Sequence, residues 1–265
     1  MSIITFDNWL KTAGDFVASC PHWIQKFLYQ LFQTFIYDDR WKLFANGLKI
    51  TFIVTIGALL IGIVIGVLIA IVRTSHDSMA VIKKPNFFLR ALNWFCKLYL
   101  TVIRGTPMMV QLLIMGFVIM VPKTDTACVI CGIITLGINS GAYVAEIARS
   151  GLQSIDKGQD EAGRSLGLNY VQTMWYIIIP QAIKNILPAL GNEMITLLKD
   201  TSLVSVIALR DVTQQAKNIQ TLTYNAYIPF ISLAIIYLII VIVLTKLLDV
   251  LERRLHKNDF KRHSH

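Results

Sequence analysis

The segment Glu161-Ala162-Gly163-Arg164-Ser165-Leu166-Gly167 is followed, after nine intervening residues, by Ile177-Ile178-Ile179-Pro180. Both stretches belong to a polar interval that lies between strongly apolar segments of the chain. In a membrane protein, such an interval is a loop that faces water. We therefore predict that residues 156–187 form a water-facing loop between two membrane-spanning helices.

The composition of the whole chain indicates a membrane protein. Apolar residues make up 55% of its 265 residues and charged residues only 15%, whereas a soluble domain of this length carries far more charge. The formal net charge is +9, but the basic residues lie beside the apolar segments. That placement indicates attraction to anionic lipid and a role in setting topology, and not binding to nucleic acid.

Five apolar segments are long enough to span the hydrocarbon core of a bilayer, which takes about 20 helical residues. We predict an all-α, polytopic helical membrane protein with about five transmembrane helices. The predicted spans are Leu43–Val72, Leu92–Val121, Ala127–Ala148, Pro188–Leu209 and Ile228–Leu248. In the first span, Gly62 and Gly66 form a G-x-x-x-G pattern, whose small residues let a neighbouring helix approach closely.

The distribution of basic residues predicts which side each end of the chain occupies. Positive residues favour the cytoplasm. Most of them lie between Arg73 and Arg90, in or just before the loop 156–187, and in the C-terminal tail. These residues are Arg73, Lys83, Lys84, Arg90, Arg149, Lys157, Arg164, Lys184, Arg253, Arg254, Lys257, Lys261 and Arg262. We therefore expect a cytoplasmic C-terminus, a cytoplasmic loop at 156–187 and an extracytoplasmic segment 1–42.

The chain carries no motif for chemistry of its own. It has no G-x-x-x-x-G-K-[ST] phosphate-binding loop and no Ser/His/Asp arrangement. Cys128 and Cys131 form a C-x-x-C, but they lie inside an apolar segment without histidine or further cysteine nearby. We therefore predict no catalytic residue, no metal site and no bound cofactor in this chain.

The loop resembles the cytoplasmic loop of ABC importer permeases, whose pattern is E-A-A, three residues, G, nine residues, I-x-L-P. This chain departs from the pattern at Gly163 and Ile179, which keep a small and an aliphatic side chain. The resemblance implies a short coupling helix that docks into a separate ATPase subunit. The residues implied in that contact are Glu161, Ala162, Gly163, Gly167, Leu168 and Pro180.

Further motifs resemble one subfamily, the permeases of polar amino acid ABC importers. They are Arg104-Gly105-Thr106-Pro107 with Gln111, Tyr143 to Gly151, Gly158-Gln159-Asp160-Glu161, Leu166-Gly167-Leu168, Pro180-Gln181-Ala182 and Lys199 to Leu203. The resemblance implies a type I importer permease fold over residues 43–250. Residues 1–42 are then an extracytoplasmic extension and residues 251–265 a basic cytoplasmic tail.

The resemblance also implies the partners. Two cytoplasmic ATPase subunits would bind ATP-Mg, a second permease subunit would complete the path, and an extracytoplasmic binding protein would deliver a polar amino acid. The location implied is the bacterial plasma membrane, with lipid around the chain. A cationic substrate such as arginine, lysine or histidine is predicted, and a neutral one such as glutamine is the alternative.

Four residues are candidates for the substrate pathway: Arg104, Thr106, Asn192 and Glu193. A charge inside a span normally faces a cavity or the bundle interior and has a partner. Arg104 precedes Gly105 and Pro107, which allow a kink, so a gating or structural role and a substrate contact are both open. For Glu193, the alternative to a cation-binding site is a tertiary salt bridge to Arg104 or Lys199.

Residue spacing predicts two further local features. Glu146 and Arg149 are three residues apart and are expected to form a stabilising ion pair on one helix face. In residues 23–32, the aromatic and aliphatic side chains are spaced as on a helix. This helix is expected to be either interfacial or packed on the bundle.

Two other classes of protein remain as alternatives. A secondary transporter or channel working alone would show internal repeats and charged pairs in several spans, and we see no such repeat. The third class is a membrane scaffold without transport activity.

Overall fold

The computed structural model of the chain describes residues 5–82 and 84–260, and all regular elements in these ranges are helical. Lys83, Lys261, Arg262 and the terminal residues 1–4 and 263–265 lie outside the described residues. The α-helices are α1 (Phe6–Thr12), α2 (Asp15–Ala18), α3 (His22–Leu31), α4 (Trp41–Ile82), α5 (Phe87–Gly105), α6 (Met108–Ile114), α7 (Asp125–Gln153), α8 (Lys157–Ser165), α9 (Tyr170–Thr173), α10 (Ile179–Asp200), α11 (Val212–Thr223) and α12 (Tyr227–Phe260). Single π-helical turns follow α3, α6 and α9, and 3₁₀ turns follow at Tyr37–Asp39 and Thr201–Ile207.

Three helices in the described ranges are long and apolar enough to span a membrane: Trp41–Met79, Asp125–Gln153 and Tyr227–Leu255. A fourth span is possible if the bent pair Phe87–Gly105 and Met108–Ile119 counts as one. The predicted span 188–209 is not among them, because the polar and charged residues of α10 lower its hydropathy. That helix also begins at Ile179, so Pro188 lies inside it and not at its start.

The predicted kink near Pro107 is confirmed as a complete break of the helix. The axes of the two segments meet at 104°. Proline has no N–H to continue the ladder of hydrogen bonds, and Pro107 occupies the position just before the first residue of α6. The predicted second span is therefore two helical segments.

The chain divides into two compact units, one formed by the residues up to Thr51 with Arg210–Leu238 and one by Phe52–Leu209 with the residues from Ile239 onward. In the first unit, the rings of Phe6, Trp9 and Tyr29 pack together, with the Tyr29 ring 5.3 Å from each of the other two. The side chain of Gln25 is buried and donates hydrogen bonds to the carbonyls of Ala18 and Cys20. The helix predicted at 23–32 is thus present as α3.

A second core in the same unit holds α11 against the start of α4. Phe44, Val212 and Ile219 are buried in it. Asp211 caps α11 by accepting hydrogen bonds from the N–H groups of Thr213 and Gln214. Burial raises the pKa of the Asp211 carboxyl, and the two N–H groups offset part of that rise.

In the second unit, α4 and α7 approach each other through glycine. A Cβ added at Gly62 would lie 2.8 Å from Ser140 Oγ, and one added at Gly66 would lie 2.6 Å from Val144 Cβ. The close contact is reciprocal, since a Cβ added at Gly137 of α7 would lie 2.7 Å from Ile61 Cβ. The prediction from G-x-x-x-G is confirmed.

We predict that Gly66→Ala destabilises the protein by about 1–3 kcal/mol, the usual cost of overpacking a core. Val144 is branched and cannot swing away easily, and the backbone nitrogen of Ala145 would lie 2.8 Å from the same Cβ. Thermal unfolding in detergent measures the loss. Gly105→Ala is the matched control, because its Cβ would meet nothing within 4 Å. Equal melting temperatures for the two variants would contradict the close contact.

Candidate functional site

The predicted water-facing loop begins with a short capped helix, α8. At its start, Asp156 accepts a hydrogen bond from the N–H of Gly158 at 2.6 Å. At its end, the N–H of Gly167 bonds the carbonyl of Arg164 at 2.9 Å, and that of Leu168 bonds the carbonyl of Gly163 at 3.1 Å. This pair of bonds is a Schellman motif. It needs the left-handed conformation of Gly167, whose φ is +78°, so this glycine fixes the end of the helix.

The six predicted coupling residues do not share one surface. Glu161, Ala162, Gly167 and Pro180 are exposed and Leu168 is half-buried, but Gly163 is buried. A Cβ added at Gly163 would lie 2.7 Å from Cγ2 of Thr173, which is itself fully buried. Gly163 therefore lets α8 pack on the helix that follows it in the same chain, and it does not lie on the outer face as we predicted.

The four most exposed large apolar side chains of the loop are Leu166, which belongs to the motif quoted above, and Val171, Trp175 and Tyr176, which no sequence motif indicated. The exposed fractions are 79% for Leu166, 70% for Val171, 67% for Trp175 and 70% for Tyr176. Their signal in the sequence is their presence in a polar interval. Exposed apolar side chains in a water-facing interval make this loop a candidate interaction surface.

At the break between α5 and α6, the side chain of Gln111 forms hydrogen bonds with polar groups at the C-terminal end of α5. The Nε2 atom of Gln111 lies 2.8 Å from the carbonyl oxygen of Ile103 and 2.8 Å from Oγ1 of Thr106. Asn139 of α7 donates a hydrogen bond to Gln111 Oε1 at 3.0 Å. The predicted pathway residue Thr106 is thus part of a polar bracket that closes the break.

Glu146 of α7 forms ion pairs with three arginines. The predicted pair with Arg149 is confirmed, with Arg149 Nη2 3.0 Å from Glu146 Oε2. The other carboxylate oxygen lies 2.9 Å from Arg73 Nη1 and 3.8 Å from Arg104 Nη1. The Arg104 guanidinium also lies 5.6 Å from the centre of the Tyr143 ring. The partner of Arg104 is therefore Glu146, and the predicted alternative of an ion pair between Arg104 and Glu193 is not observed.

Glu193 lies in the middle of α10, because this helix begins at Ile179 and not at Pro188, where the predicted span begins. Its Oε1 accepts a hydrogen bond of 2.7 Å from Ser140 Oγ on α7. Among the described residues, no basic nitrogen lies within 4.0 Å of this carboxylate. The neutral hydroxyl orients the carboxylate and leaves its charge without a counterion from the described chain.

A polar stripe runs along α10 beside Glu193. Asn192, Thr196 and Lys199 are exposed and are spaced four and three residues apart, so they share one helix face. Of these, Asn192 is a predicted pathway residue. Polar groups facing the hydrocarbon of a bilayer are costly, so this face is suited to a watery path or to another subunit.

Comparisons with known proteins agree with this arrangement. Residues 62–257 match the family described as binding-protein-dependent transport system inner membrane component. The arginine transport system permease protein ArtQ of Bacillus subtilis (strain 168) is 36% identical over 81% of this chain and 93% of its own length. The glutamine transport system permease protein GlnP of Escherichia coli (strain K12) is 37% identical over 80% and 93%.

Two solved structures share the fold. One, from a crystal structure of an amino acid ABC transporter with histidines, has 43% identity, a TM-score of 0.71 and coverage of 80% of this chain and 94% of that chain. The other is the MetNI methionine ABC transporter in an inward-facing form, with 18% identity, a TM-score of 0.69 and coverage of 83% and 99%. At that identity the second match concerns the fold alone.

The fold and the matched motifs define a permease of the type I ABC importer class. The chain belongs to the family of binding-protein-dependent transport system inner membrane components. It is an amino acid ABC transporter permease and a multi-pass protein of the plasma membrane.

Proposed function

We propose that this permease takes up polar amino acids with a preference for cationic ones, and that neutral polar amino acids such as glutamine are the alternative. Relatives named for arginine and for glutamine transport are similarly close to this chain, so identity alone does not separate the two. The observation that carries the proposal is the carboxylate of Glu193, which is oriented by Ser140 and has no basic partner among the described residues.

A cationic amino acid supplies what this carboxylate lacks. Attraction between opposite charges is much stronger at the low dielectric of a membrane protein than in water. It can therefore offset the loss of hydration when the substrate enters. The exposed polar face of α10, with Asn192 and Thr196, would line the path next to Glu193. A second permease subunit would close this face from the other side.

We further propose that α8 couples the permease to a separate ATPase that binds ATP-Mg, while this chain binds no cofactor. In this proposal two ATPase subunits act, and an extracytoplasmic binding protein delivers the substrate. The docking surface consists of the exposed residues Glu161, Ala162 and Leu166 with the loop aromatics Trp175 and Tyr176. Gly163 and Gly167 support that surface from behind, through packing and through the helix end.

The topology that fits this coupling has the C-terminus and α8 in the cytoplasm and residues 1–42 outside. On the outside, Trp23 and Phe27 are exposed on α3 next to Lys26. Aromatic side chains beside a lysine suit the headgroup level of a bilayer. We propose that α3 is an interfacial helix on the outer surface of the membrane.

Glu193→Gln is expected to lower the uptake of cationic amino acids at least tenfold more than that of glutamine, because it keeps the shape and removes the charge. Ser140→Ala should shift uptake in the same direction but less, since the carboxylate remains. Uptake of labelled arginine and glutamine into proteoliposomes of the full importer measures both. Glu252→Gln, at an exposed position of α12, is the matched control. Equal losses for both substrates would make Glu193 structural, and unchanged uptake would remove it from the path.

Ala162→Trp is expected to uncouple transport from ATP hydrolysis while the permease stays folded, because Ala162 is exposed on α8. Gly163→Val should instead lower the melting temperature of the permease itself, since it would collide with Thr173. Gly167 is less suitable for this test, because any L side chain strains its positive φ. Co-purification of the ATPase, coupled uptake and melting temperature separate these effects. Ala18→Trp, exposed in α2, serves as control, and parental transport by Ala162→Trp would rule out docking at this face.

The topology is tested with single cysteines on a background without the four native ones. A cysteine at Asp77 is expected to react with a membrane-impermeant reagent only after cell disruption. One at Tyr224, which is 88% exposed, should react in intact cells. The reversed labelling pattern would invert the proposed orientation.

A further inference from the structure

A cleft of about 580 Å³ lies between α4, α5 and α7, and the transport path proposed above does not use it. Its walls include Arg73, Lys97, Thr101, Arg104, Tyr143 and Glu146. Three of these side chains are cationic and one is anionic. The cleft therefore carries an excess of positive charge in a part of the chain that is otherwise apolar.

The single carboxylate is already fully engaged. One oxygen of Glu146 is shared by Arg73 and Arg104, and the other is held by Arg149. Lys97 is exposed and has no carboxylate within 4.0 Å among the described residues. The Nε atom of Arg73 is buried and has no hydrogen-bond acceptor among the described residues. The cleft thus offers donors and charge to a further anion.

Next to the cleft, α5 carries an exposed apolar strip whose residues do not line the cleft itself. Trp94, Leu98 and Val102 follow each other at intervals of four residues, with exposed fractions of 58%, 45% and 50%. Lys97 and Thr101 lie on the adjacent strip of the same helix. An anionic group in the cleft would therefore have an exposed apolar helix face beside it, on which an aliphatic chain could pack.

The expected depth of the cleft in the bilayer is that of the lipid headgroups. Arg73 directly follows the predicted first span, and Arg149 directly follows the predicted third span, so both are expected near the boundary between hydrocarbon and headgroups. A free anion would use the charges but leave the apolar strip of α5 without a role. A phospholipid with a negative headgroup uses both.

We propose that this cleft is a binding site for an anionic phospholipid, whose phosphate is held by Lys97, Arg104 and Arg73 and whose acyl chain lies along Trp94, Leu98 and Val102. Basic pockets between helices at the membrane surface bind such headgroups by the same chemistry. Each lysine or arginine near the headgroup contributes about 1 kcal/mol, which is roughly a fivefold change in affinity. The proposal does not depend on which amino acid is transported.

Native mass spectrometry of the purified full-length permease, titrated with phosphatidylglycerol or phosphatidylcholine, tests the site. We expect the permease to prefer phosphatidylglycerol, and Lys97→Gln to weaken that binding about fivefold. Lys97→Arg should retain it. Lys123→Gln, at an exposed lysine between the second and third predicted spans, removes the same charge and should leave the affinity unchanged. Equal affinity of the Lys97→Gln and parental chains for phosphatidylglycerol would overturn the proposal.

Competition distinguishes the sources of the anion. Inorganic phosphate that displaces the lipid at millimolar concentration would reassign the cleft to a free anion. Displacement by arginine or glutamine would reassign it to the transport path. The position of the bound lipid is checked with brominated lipids in nanodiscs. Brominated phosphatidylglycerol should quench tryptophan fluorescence more than brominated phosphatidylcholine does. The Trp94→Phe chain should lose that difference, and a chain that keeps it would place the lipid elsewhere.

Discussion

The second unit depends on the burial of α7. Of the three long apolar helices, α7 has 56% of its most apolar window buried within the chain, whereas the corresponding value for α12 is 17%. Gly137 and Gly141 bring it against Ile61 and Ile65 of α4. Because helices in a membrane gain little from the hydrophobic effect, such close packing and the hydrogen bonds it permits supply much of the association.

That close packing places three polar residues of α7 where other helices need them. Asn139 holds the glutamine that closes the break after α5, Ser140 orients the carboxylate of α10, and Glu146 joins arginines of α4 and α5. Each contact satisfies a polar group that would be costly in lipid. One helix therefore links the broken segment, the proposed substrate site and the cationic cleft. A displacement of α7 would change the contacts at all three places.

The coupling loop follows α7 directly and is built for a fixed shape. Its helix α8 has a carboxylate cap at the start and a glycine with positive φ at the end. Gly163 lets it pack closely on the following helix, and Gly151 lets the end of α7 pack against Ile186 of α10. A rigid link of this kind is suited to passing a movement of α8 to α7 and α10, which carry Ser140 and Glu193.

The sequence by itself determined the class of protein, the helical fold, a kink at Pro107, the glycine contact of the first span and the pair Glu146–Arg149. These follow from composition, from motif spacing and from neighbours within one helix. The tertiary structure alone decided that Gly163 faces inward, that Ser140 holds Glu193 and that Arg73 and Arg104 share Glu146. The last contacts join residues separated by 53, 73 and 42 positions. No local pattern encodes them, because they depend on which face each helix presents once glycine has set the distance between α4 and α7.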